Sequence, residues 1–179
     1  KTYWTTRRKT KKSKSGQKTK EKMSVQKFLD TWIRDKVSQP SPETANIPAC
    51  PYALKAWVED KVKIVEVANL WEEVAEQIEA FTDDYQVVIC SQIQQLTYEE
   101  LEGCCMGLNA YLALKEKDIW LLSFQDTYDM ILIQRLSHLD EASKFLERLN
   151  YYANYGTDDL ERLVLTRRRW REKCQVTKE

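Results

Sequence analysis

The sequence predicts an α/β fold: a mixed four-stranded sheet covered by helices, in the order α-α-β-α-β-α-β-β-α-α. Three observations carry this. Apolar residues recur at helical spacing in several windows. Short β-branched runs alternate with those windows, as in sheets built from strand-helix units. Late in the chain, Ile119–Phe124 and Tyr128–Arg135 are each apolar on both faces and are joined by the polar turn Gln125-Asp126-Thr127, so they read as a pair of central antiparallel strands. The near alternative is a ferredoxin-like α+β order, since one strand more or fewer converts one pattern into the other.

Ser24 can cap a first helix running to about Val37, with Val25, Phe28, Leu29, Trp32, Ile33 and Val37 as one apolar stripe. Residues 38–49 hold three of the four prolines and form a loop. Cys50-Pro51 opens a short helix to about Trp57, and Val62–Val67 supplies a first strand. A second full helix follows from Leu70 to Phe81, broken by Asp83-Asp84, before the short strand Tyr85–Cys90. Thr97-Tyr98-Glu99-Glu100 has the capping-box pattern and starts a helix to about Lys115, with Leu101, Cys104, Cys105, Leu108, Tyr111 and Leu112 inward. After the strand pair, Ser137 with Asp140 caps a helix whose stripe is Leu139, Ala142, Phe145, Leu146, Leu149 and Tyr152. Gly156 ends that region, and Thr157 caps a final helix to about Lys173.

The formal net charge is zero, but the charges are segregated. Residues 1–22 carry ten Lys/Arg and one acid, residues 23–160 carry eleven Lys/Arg and 24 acids, and residues 161–179 carry seven Lys/Arg and three acids. An acidic body thus bears two basic ends. Residues 1–22 have almost nothing to bury and read as a disordered basic tail ahead of a single α/β domain spanning 23–179. The tail can serve as a polybasic arm for nucleic acid, with Tyr3 and Trp4 to stack bases, or simply as a solvated segment. Met23-Ser24-Val25 would make an ordinary start, so the tail also reads as an upstream extension or a processed remnant.

No apolar run is long enough to span a bilayer, and no membrane partner is expected. One His and no glycine-rich loop leave neither a metal site nor a cofactor expected. The five cysteines are odd in number and irregularly spaced, which argues against a disulfide framework and for a cytoplasmic, reducing setting. Cys90, Cys104 and Cys105 read as core.

Cys50 reads in two ways. Placed before Pro51 at a helix start, its sulfur would sit over unpaired N–H groups, which favours thiolate, and Lys55 would add positive charge. A nucleophile needs such surroundings, and Gln125, Gln134 or His138 can supply polar partners. The plainer reading is a small apolar residue anchoring the loop. Near the other end, Arg167, Arg168, Arg169 and Arg171 surround Trp170. They can clamp phosphates while Trp170 stacks a base, or they can pair with the acidic body while Trp170 packs on it.

Cys50-Pro51-Tyr52-Ala53 followed by Lys61–Val67 resembles an uncharacterised bacterial family marked by a Cys-Pro-Phe-Ala signature and a basic, β-branched strand. The resemblance extends over about residues 47–147. Tyr85–Cys90 stands at that family's second apolar strand, Leu122-Ser123-Phe124-Gln125 at its Ser-Phe-His segment, and Met130–Arg135 with the helix after it at its final block. Gln125 replaces the family's His, so any chemistry depending on that His is absent. The resemblance implies the α/β fold and draws attention to Cys50.

These observations point first to a small soluble binding or accessory module, with a protein as one possible partner. A thiol-dependent enzyme or redox protein using Cys50 is the competing class. A nucleic-acid accessory protein using the basic ends is the third.

Overall fold

A computed structural model describes residues 23–176, with side chains through Glu172. The basic tail 1–22 and the side chain of Cys174 lie outside the described residues. Ser24 starts the first helix as its spacing predicts: its hydroxyl accepts the Lys27 N–H at 3.3 Å. This helix, α1 (Val25–Trp32), continues as a π-helical turn to Val37. The proline-rich segment then forms a small hairpin of β1 (Pro40–Ser41) and β2 (Ile47–Pro48). The short helix α2 (Ala53–Val58) leads to β3 (Val62–Glu66), α3 (Leu70–Glu79) and β4 (Val87–Ile93). Next come α4 (Tyr98–Leu114), β5 (Trp120–Gln125), β6 (Tyr128–Gln134) and α5 (Leu136–Arg148). The chain ends in α6 (Thr157–Leu160), a π turn and α7 (Thr166–Val176).

The four main strands form one mixed sheet in the order β3-β4-β6-β5, with β3 and β4 parallel and the remaining pairs antiparallel. The fold is therefore α/β. Its sheet elements run β-α-β-α-β-β along the chain rather than in the β-α-β-β-α-β order of a ferredoxin-like fold. Strand alternation divides the core in two. Val88 and Cys90 face α3 and α4, packing with Leu70, Val74, Leu101 and Cys105. Ile89 lies among Val25, Phe28, Leu29, Tyr128 and Met130 on the α1 side.

The expected capping box is present in full: Thr97 Oγ1 accepts the Glu100 N–H, and Glu100 accepts the Thr97 N–H at 2.8 Å. Other expectations are corrected. The strand β5 lies at the sheet edge, not in its centre. At Leu121 its backbone is satisfied by an α4 side chain: Asn109 donates to Leu121 O at 2.9 Å and accepts the Leu121 N–H at 2.8 Å. An amide side chain thus stands in for a missing strand neighbour, which protects the edge from further pairing. Asn109 belongs to the buried face of α4, while Cys104 and Tyr111, expected inside, are exposed.

The stripe of α5 is rotated as well. Its buried residues are Leu136, Asp140, Ser143 and Leu146, and Phe145 and Leu149 are exposed. The helix starts at Leu136, and Ser137 is held by Asp118 from outside the helix, which accepts its N–H at 2.8 Å and its hydroxyl at 2.6 Å. Asp140 is not the partner of Ser137. It faces α7, where it accepts from Arg167 Nε at 2.9 Å in a buried ion pair. Gly156, not Thr157, occupies the cap of α6.

A buried ion pair does little for stability as a whole, but breaking one strands the other charge. In urea unfolding, Asp140→Ala should cost about 3–5 kcal/mol, and Asp140→Leu combined with Arg167→Met should recover most of that loss. A cost below about 1 kcal/mol for the single variant, the size expected of a solvent-exposed pair, would contradict this.

Candidate functional site

The residues that the sequence nominates for thiol chemistry do not converge. Cys50, Pro51 and Tyr52 form a turn, and α2 begins only at Ala53. The Cys50 sulfur does receive the N–H groups of Tyr52 and Ala53, which favour thiolate, but burial outweighs them and pushes the thiol up. Of the two readings of Cys50, this burial opposes the one with a depressed pKa. Lys55 is exposed and pairs with Glu59 at 3.8 Å, its own neighbour one turn on. Gln125 donates to Leu96 O at 2.9 Å and to Asp129 Oδ1 at 2.8 Å. Gln134 stands in β6 between Val87 and Trp120, and His138 is exposed on the first turn of α5. Among the described residues no hydrogen bond or ion pair joins Cys50 to any of the four. Tyr151 is the polar side chain beside it, donating to Ala49 O at 2.5 Å.

The four arginines of the C-terminal helix are spent on the protein itself. Arg167 pairs with Asp140, and Arg168 takes both Glu147 oxygens, at 3.1 and 2.9 Å. Arg169 pairs with Glu161, and Arg171 with Asp118 at 3.1 Å. Trp170 meets Trp120 edge-on with ring centroids 5.4 Å apart. This is the arrangement in which the arginines pair with the acidic body and the tryptophan packs on it.

Two polar residues without a side-chain partner among the described residues, Glu66 and Ser91, meet elsewhere, at the carboxyl ends of the parallel strands β3 and β4. A pocket of about 280 Å³ lies there between the strand ends and the start of α1. Its strand side includes Glu66, Ser91 and Tyr128, and its helix side is Met23, Ser24 and Val25. Pairing register explains the convergence. Glu66 is opposite Ser91, which is opposite Met130, and alternation turns Ser91 to the same side as Ile89, toward α1. Ser91 is 1% exposed, and its hydroxyl has no hydrogen-bond partner. Tyr128 closes one wall by donating to Met23 O at 2.6 Å. Glu66 is exposed and makes no ion pair among the described residues.

Behind this pocket lies a buried carboxylate. Asp129 Oδ2 accepts from Gln92 Nε2 and from the backbone N–H groups of Gln95 and Leu96, at 3.1, 2.9 and 3.1 Å, and Oδ1 accepts from Gln125. Burial pushes its pKa up, but the four donors outweigh burial and hold the carboxyl below its ordinary range. Gln92 in turn accepts the Leu70 N–H at 3.2 Å, fixing the start of α3.

No family model, curated protein or solved structure matches this chain. Among the described residues, no three His, Cys, Asp or Glu side chains converge as metal ligands would, and no helix is long and apolar enough to cross a membrane.

Sequence reasoning missed Glu66 and Ser91. Ending the second strand at Cys90 put Ser91 in a loop. The available signal was a lone hydroxyl after the apolar run Val87–Cys90, in phase with Ile89 and Ile93.

Among the four cysteines with described side chains, alkylation of the folded protein across pH 7–9 should label exposed Cys104 first, with Cys50 lagging. Cys90 and Cys105, pushed up to about 12 by burial, should stay unlabelled until unfolding. Rapid labelling of Cys50 at pH 7 would restore the thiolate reading.

Proposed function

We propose that this chain is a small binding or accessory module that holds a small polar ligand non-covalently at the carboxyl ends of β3 and β4. One observation carries the reading. A buried hydroxyl, Ser91 Oγ, lacks any partner on the α1 side of the sheet, where the pocket lined by Ser91 also presents a carboxylate without an ion pair, Glu66. Burying a polar group without a hydrogen bond is costly, and native proteins rarely keep one without a use for it. The location agrees with the general rule that open α/β sheets take ligands outside the carboxyl ends of their strands. The volume is at the low end for ligand sites, which favours a small molecule.

The residues proposed for other activities support this reading by what occupies them. Burial raises the Cys50 thiol, and its proposed helpers are engaged elsewhere or face solvent. The arginines of α7, which a nucleic-acid partner would need, are neutralised by Asp118, Asp140, Glu147 and Glu161. Four free cysteines among the described residues suit a reducing compartment, and we place the protein in the cytoplasm.

Thermal unfolding against a panel of amino acids, sugars, carboxylates, amines and nucleotides tests the reading. At least one class should raise Tm in the full chain and equally in Cys50→Ala. Ligand at 100 times its Kd stabilises by about 2.7 kcal/mol, or roughly 5–10 °C for a chain of this size. A panel with no stabilising class, or a shift that vanishes with the Cys50 thiol, would contradict it.

A further inference from the structure

We infer that the ligand of the β3–β4 pocket is a small zwitterion of the amino-acid type, with an ammonium group received by Glu66 and an anionic group received by Ser91 and the start of α1. The inference rests on the binding reading above and adds the chemical class.

The pocket presents two kinds of polar group on opposing elements. From the strands, Glu66 is the one charged side chain in its lining, and no cation pairs with it among the described residues. From the helix side come hydrogen-bond donors. The first backbone N–H groups of a helix have no intrahelical acceptor. In α1 the Ser24 hydroxyl takes that of Lys27 and the Ser24 carbonyl takes that of Phe28, which leaves the amides of Val25 and Gln26 at the pocket end of the helix. The helix dipole adds partial positive charge there. A helix start alone would not define a site. Here the buried and unpartnered Ser91 hydroxyl, on a residue that lines the pocket from the α1 side of the sheet, is an independent sign that an acceptor belongs there.

Neither half of the chemistry suffices alone. A simple anion would satisfy the helix start and Ser91 but would meet the Glu66 carboxylate, a like charge within a small space. A simple ammonium would satisfy Glu66 but leave the N–H groups and the Ser91 hydroxyl without an acceptor. A molecule carrying both groups a few bonds apart answers both sets. The small volume suits a free amino acid better than a nucleotide or an oligosaccharide.

Calorimetric titration of the full chain at neutral pH tests this with matched probes: L-alanine, L-serine and L-leucine, the amines lacking the carboxylate, and the acids lacking the amine. At least one amino acid should bind about tenfold or more tighter than either of its halves. Glu66→Gln and Ser91→Ala should each weaken that binding by about tenfold or more, in line with the loss of a hydrogen bond to a charged group. Without ligand, Glu66→Gln should melt close to the parent, because Glu66 is exposed, and Ser91→Ala at or above it, because the variant removes a buried hydroxyl that has no partner. Equal binding of amine and amino acid would overturn the inference in favour of a cation site, and equal binding of acid and amino acid in favour of an anion site. Unchanged affinity in both variants would place the ligand elsewhere. If no amino acid binds while another class stabilises the protein, the inference fails and the binding reading stands; if no class does, both fail.

Discussion

The buried carboxylate of Asp129 is the constraint on which the rest of the structure depends. It lies in the central strand β6 with no exposure, and a bare carboxylate there would be untenable. Four N–H donors make it tenable, and they come from three other parts of the chain: Gln92 in β4, the Gln95-Leu96 backbone leading into α4, and Gln125 at the end of β5. Because Gln92 also accepts from Leu70, the same carboxylate reaches the start of α3 through one intermediate side chain. The strand ends bordering the pocket are thus set by hydrogen bonding, with the two apolar cores packing around them.

At the other end of the sheet, the problem is an edge. The strand β5 is apolar on both faces yet has a strand neighbour on one side only. Asn109 answers its open backbone, and the C-terminal helix covers its remaining apolar surface through the Trp120–Trp170 contact. The arginines that look like a nucleic-acid patch fasten that helix down. Arg167 is held by α5, Arg168 by Glu147 and Ser143, and Arg171 by Asp118, the residue that also receives Ser137 at the start of α5. This explains why α5 buries Asp140 and Ser143 while leaving Phe145 to solvent. Between buried Leu136 and Leu146, its inner face meets guanidinium groups at Asp140 and Ser143.

Much of the architecture was legible in the sequence because local rules and tertiary packing agreed. Ser24 and Thr97 cap where their spacing says, and the β-branched runs became strands in the predicted order. The departures in α5 and β5 share one cause: a polar partner from another element that periodicity does not register. Hydrophobic spacing turned α5 the wrong way because Arg167 lies 27 residues beyond Asp140. It placed β5 in the sheet centre because Asn109 can imitate a strand. Of the two readings of Cys50, the thiolate one rests on cap amides that Cys50-Pro51 makes visible, whereas the burial that outweighs them comes from tertiary packing. Glu66 and Ser91 were invisible as a pair until strand register set them side by side.

The central claim is that Asp129 organises the strand ends, so that the polar residues of this region are structural and the free ones define the site. Amide hydrogen exchange in Asp129→Ala, read by NMR against the parent protein, tests it most directly. Donors stripped of a buried acceptor lose roughly 1–3 kcal/mol each, so protection at Gln95, Leu96 and, through Gln92, Leu70 should fall by about tenfold or more. Amides in the middle of α5, remote from the network, should change only as much as global stability does. Protection at Leu70, Gln95 and Leu96 that merely follows the α5 amides would contradict the claim.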